Sequence, residues 1–164
     1  MKYFENISHE ELQILENAIS QITLLIAVSD GDVNKEETDW ASKLVHIRTY
    51  SGDNSLLAFY EEVEANFNIK LNDLINNSPK ESEACKVFLT KKLATVNPIL
   101  AKLEPETAYH LYTSYLSLAK SIAKSSGGFL GFGSISHNEA HLITLPMITP
   151  IAQPTVEEEE EDSE

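Results

Sequence analysis

Five oxygen-bearing side chains crowd into one short stretch of the chain. Asp30, Asp32 and Asn34 alternate through a tight turn, and Glu36 and Glu37 follow at once. Oxygen ligands at alternating positions suit a hard divalent cation such as Ca²⁺ or Mg²⁺. The stretch is not an EF-hand loop: the position that needs Gly is Lys35, and the position that needs a bidentate Glu is Ala41. The plainer alternative is a polar turn made by Asp30 and Asp32, with Glu36 and Glu37 favouring the positive end of a helix.

Other candidate chemistry is thinner. His137 and His141 are four apart and share a helix face, but Asn138 stands where a zinc-protease helix needs Glu. The run Gly127-Gly128-Phe129-Leu130-Gly131-Phe132-Gly133 lacks the Gly-Lys-Ser/Thr ending of a phosphate loop and follows a helix, not a strand. Its glycines suit a helix end, where left-handed conformations are needed. Phe129, Leu130 and Phe132 then either tuck into the core or form an apolar patch for a protein partner. The single Cys85 rules out an internal disulfide and a multi-cysteine zinc site, and its apolar surroundings mark it as a small buried hydrophobe. His9, His46 and His110 have no partner pattern. No Ser/His/Asp or Cys/His set stands out, so the chain reads as non-enzymatic.

The elements that must position these residues are helices. Four capping boxes pair a cap with a Glu three residues on: Ser8 with Glu11, Asn34 with Glu37, Ser78 with Glu81, and Ser136 with Glu139. Pro79 suits the first position of the third helix start. After Ser8, the residues Leu12, Leu15, Ile19, Ile22 and Ile26 form one stripe of helical period. After Asn34 the expected inward stripe is Trp40, Ala41, Leu44, Ile47 and Tyr50, stopped by Ser51-Gly52-Asp53-Asn54. Residues 55–67 form a further helix and 71–75 a short separate one. A helix from Pro79 runs to Asn97-Pro98, where the proline kinks or ends it. A long helix after Glu104 turns Ala108, Leu111, Tyr112, Tyr115, Leu116, Ala119, Ile122 and Ala123 inward, and a last one lies between Ser136 and Pro146. No segment alternates with period two, so the expected fold is an all-α compact bundle of about six or seven helices.

Two segments are alike. Ile26-Ala27, a polar turn, Val33, a cap and Glu37 match Ile122-Ala123, a longer turn, Ile135, a cap and Glu139. Val33 and Ile135 sit where an apolar residue staples a loop to the helix that follows. Two helix–loop–helix repeats of this kind predict a pseudo-two-fold arrangement. The stretch Leu25-Ile26-Ala27-Val28-Ser29-Asp30-Gly31-Asp32-Val33-Asn34-Lys35-Glu36-Glu37 resembles the signature of the tellurite-resistance TerB-like family. There an apolar helix ends in Ala-Asp-Gly, an apolar residue and a cap follow, and the next helix carries Glu. The resemblance covers about residues 8–145 and implies an all-helical stress-response domain with metal held by acidic residues near these turns. The second copy departs from it: Ser126 and Gly127 replace Asp30 and Gly31, and Ser134 replaces Asp32. The implied ligand set is therefore Asp30, Asp32, Glu36, Glu37 and Glu139.

Charge narrows the partners. Across 164 residues, 26 acids against 12 bases give a net charge of −14, which opposes binding to nucleic acid and to anionic lipid. Residues 157–164 hold seven acids and no base, so half of that charge belongs to the tail. With Pro146, Pro150 and Pro154 spaced four apart, 146–164 reads as an extended arm ending in an acidic disordered tail. Residues 1–145 read as the folded domain. The tail is either a solubilising segment or a docking motif for a protein partner. The start lacks a signal-peptide core, and no apolar run approaches the ~20 residues of a membrane span, so a cytoplasmic location without membrane insertion is expected.

Overall fold

Ser8 opens the first helix as its spacing predicts. Its Oγ accepts the Glu11 N–H at 3.1 Å, and the Glu11 carboxylate accepts the Ser8 N–H at 3.0 Å. The computed structural model describes residues 2–29, 33, 35–126 and 137–155. It is all helical, with no strand among the described residues: α1 (His9–Ala27), α2 (Lys35–Ser51), α3 (Leu57–Asn77), α4 (Ser82–Ala94), α5 (Asn97–Leu100), α6 (Pro105–Ser126) and α7 (His137–Leu142). No described helix is long and apolar enough to cross a membrane.

Helix α1 is the centre of the packing. It contacts α2, α3, α4, α6 and α7. Its first half keeps one buried face, through Leu15, Ala18 and Ile19, whereas from Ile22 to Ala27 every residue is buried. The apolar residues Leu24 and Leu25, which widen the stripe, are the sequence-level cause. Thr23 sits in this apolar stretch and satisfies its hydroxyl locally, donating to the Ile19 carbonyl at 2.9 Å. From the far side of the core, the fully buried Tyr115 of α6 donates to the Leu15 carbonyl at 2.7 Å. Burial pushes the Tyr115 phenol well above its ordinary pKa, so it stays a donor.

The structure corrects three expectations. Residues 57–77 form one continuous helix: Phe67 and Leu71 are both buried and four apart, so the stripe never breaks. Ser78 does not cap α4. It ends α3, donating to the Leu74 carbonyl at 2.6 Å, and Pro79 lies before the helix instead of in its first turn. Glu81 is itself the cap, its carboxylate accepting the Glu83 and Ala84 N–H groups. Those backbone bonds hold the Glu81 carboxyl below its ordinary range. On α2 the buried face is Glu37, Ala41 and Val45, while Trp40 (38% exposed), Ile47 and Tyr50 (64% exposed) face outward.

Pro98 acts as expected. α4 stops at Ala94, and Pro98 lies in the first turn of the short α5. Past α7 the chain leaves helical structure, but its first part packs on the body. Leu145 and Ile148 are buried, Leu145 with a left-handed φ of 46° that its burial must offset. The Asn97 side chain holds this segment at two points, donating to the Met147 carbonyl (2.9 Å) and accepting the Thr149 N–H (2.8 Å).

Candidate functional site

The α1–α2 turn is anchored on its incoming side. Val28 closes α1 with its N–H on the Leu24 carbonyl, and the buried Ser29 returns both N–H and hydroxyl to the Ile26 carbonyl. Ser82, the first residue of α4, donates to the Val28 carbonyl at 2.8 Å and ties the turn to a third helix. On the outgoing side, α2 begins with Lys35, whose carbonyl accepts the Thr38 hydroxyl. Glu36 is exposed, and Glu37 is only 2% exposed in that same first turn. Asp30, Asp32 and Asn34 lie outside the described residues, as do the side chain of Glu139 and the loop residues Phe129, Leu130 and Phe132. Of the predicted ligand set, the described residues therefore fix Glu36 and Glu37, one turned outward and one inward. Among the described residues no three His, Cys, Asp or Glu side chains gather to hold a metal ion.

Val33, expected as a staple, is largely exposed yet lines a small cavity with Leu24, Val28, Ile75 and Cys85. Cys85 is buried there as predicted. Burial raises its thiol pKa against the opposing influence of Ser78 and Lys80, so the sulfur is a poor nucleophile. His141 is exposed on α7, and the side chain of His137 lies outside the described residues.

A second constellation, which spacing alone did not reveal, lies where α2, α3 and α6 meet. Arg48 of α2 is partly buried and donates from Nη1 to the Tyr60 hydroxyl (2.9 Å), the Ser114 carbonyl (2.9 Å) and Ser114 Oγ (2.6 Å). Its Nη2 donates to Ser117 Oγ at 2.7 Å. Tyr60 and Ser114 hydroxyls meet each other at 2.6 Å, and the guanidinium also stands 5.4 Å from the Tyr60 ring centroid. Every one of these acceptors is neutral, and no carboxylate pairs with Arg48 among the described residues. The signal in the sequence is that Arg48 is the chain's one arginine among 12 basic residues. A planar fork that bonds three partners at fixed angles is a task Lys does not perform.

Around Arg48 opens a groove of about 470 Å³, lined by Leu44, Ile47, Leu56, Tyr60, Ser114 and Ser117 among others, Asp53 and His110 included. Gly52 lets the chain leave α2 here, since a Cβ at that position would stand 3.1 Å from the Arg48 carbonyl oxygen. Asp53 Oδ1 accepts the Ser55 N–H (2.8 Å) and the Ser55 hydroxyl, and lies 3.2 Å from His110 Nδ1. Partial burial works against its charge, but the Ser55 bonds and the His110 ring outweigh it and hold the Asp53 carboxyl below its ordinary range. Ser55 Oγ and Asp53 both approach the same ring nitrogen of His110, the former at 3.4 Å. The ring cannot relay a proton from serine to aspartate through one atom, so this is not a nucleophilic triad.

No family model, no curated protein and no solved structure matches the chain.

Proposed function

We propose that the chain is a TerB-like helical module of the cytoplasmic stress response that works by binding and not by catalysis. A divalent cation, Ca²⁺ or Mg²⁺, is held at the α1–α2 turn by Asp30, Asp32, Glu36 and Glu37, with Glu139 supplied from the second helix–loop–helix unit. The observation that carries this reading is the density of carboxylates at the α1–α2 turn, where Asp30, Asp32, Glu36 and Glu37 fall within eight positions. Contact between α1 and α7, the helix that carries Glu139, supports including the second unit.

Isothermal titration with Ca²⁺, Mg²⁺, Mn²⁺ and Zn²⁺ tests the reading. Saturable heat with Ca²⁺ or Mg²⁺ is expected, and the double change Asp30→Asn with Asp32→Asn weakens it by roughly tenfold or more. Absence of heat, or heat unaltered in the double variant, removes the cation from the proposal.

A further inference from the structure

We propose that the groove between α2, α3 and α6 is a binding site for a small organic monocarboxylate, whose carboxylate sits on Arg48 and whose apolar body lies along Leu44, Ile47 and Leu56. This is a separate site from the acidic turn and does not depend on the cation.

Three observations carry it. The first is the donor balance of Arg48. A guanidinium has five N–H donors. Two belong to Nη1, which serves Tyr60 and Ser114, and one Nη2 hydrogen serves Ser117. Nε–H and the second Nη2 hydrogen have no protein acceptor among the described residues. Two guanidinium donors are what a carboxylate engages in a bidentate pair. The existing bonds hold the fork in place, so binding costs little side-chain entropy.

The second is charge. In a chain that is strongly acidic overall, the groove contains a permanent cation whose protein partners are all neutral. Asp53, which lines the same groove, is committed to Ser55 and lies 3.2 Å from His110, and it makes no ion pair with Arg48. One unpaired cation in a groove that a carboxylate also lines suits a ligand carrying a single negative charge better than a dianion such as a phosphate monoester.

The third is shape. About 470 Å³ lies within the range of small-molecule sites, and a wall of Leu44, Ile47 and Leu56 beside a few polar groups is the usual composition of such sites.

Benzoate, benzamide and inorganic phosphate are the probes, read by amide chemical shifts of the full-length protein. Benzoate is expected to shift residues in 48–56 and 110–117 saturably. Benzamide, the neutral isostere, and phosphate are expected to shift them at least tenfold more weakly at equal concentration. Arg48→Lys keeps the charge but loses the fork, and is expected to weaken benzoate binding by about tenfold. The benzamide comparison on the unaltered protein stands even if that variant folds poorly. Equal response to benzamide, preference for phosphate, benzoate shifts mapping elsewhere, or no saturation with benzoate each overturn the proposal.

Discussion

The acidic turn and the arginine groove are built in opposite ways. The turn gathers its carboxylates from neighbouring positions, so its charge is a local property that needs only α1 and α2 to end and begin where they do. The groove draws on α2, α3 and α6, and Arg48 reaches across 12 residues to Tyr60 and 69 to Ser117. A local site can be disarmed without touching the fold. A site spread over three helices is part of what holds the fold together, because the side chain that offers donors to a ligand also fastens the helices to each other.

The strongest way to break that contrast is to loosen the shared support. Ile22→Ala, in the fully buried half of α1, is expected to cost about 2–5 kcal/mol in chemical denaturation, and to weaken cation heat and benzoate shifts alike. Arg48→Ala separates the two. It strips bonds to Tyr60, Ser114 and Ser117 and is expected to cost about 2 kcal/mol while leaving cation titration of the remaining folded protein unchanged. Retention of full stability would mean that the arginine fastens nothing. The double change Asp30→Asn with Asp32→Asn runs the other way: stability is expected to stay within about 0.5 kcal/mol, and the benzoate response to stay intact.

The smallest effect sharpens the comparison through pH. Glu16 of α1 is nearly buried, and burial pushes its carboxyl above 4.5, with Lys70 at 3.7 Å opposing and Glu62 adding to the rise. A carboxyl raised on folding binds more protons in the native state, so its contribution falls as pH climbs from the ordinary value through the raised one. Glu16→Gln is expected to raise Tm at neutral pH, and that gain to vanish on acidification below 4.5. A Tm difference that does not change with pH would assign the effect to packing.

Much of the helical framework is legible in the residues themselves. The Ser8–Glu11 box and the three-and-four spacing that follows it define α1, because cap chemistry and burial agree there. Helix α2 is the instructive failure. The expected inward stripe, Trp40, Ala41, Leu44, Ile47 and Tyr50, competes with a narrower one, Glu37–Ala41–Val45, that shares Ala41 with it, and size alone favours the first. Packing chose the second: the small Ala41 and Val45 are buried, Leu44 is half-buried against the core, and Trp40, Ile47 and Tyr50 stay outside. The same choice turned Arg48 toward Tyr60 and Ser114. That is why the groove cannot be read from spacing: its members meet only once a face has been selected and α6 has been laid across it.

Asn97 has an effect beyond the two bonds it makes. By giving to the Met147 carbonyl and taking from the Thr149 N–H, one side-chain amide does for the C-terminal segment what an adjoining strand does for its neighbour: it sets the register of the backbone. Length changes beyond Thr149 leave this rung untouched. A single residue inserted between Met147 and Thr149 moves one of the two points out of reach, and the seating of Leu145 and Ile148 goes with it.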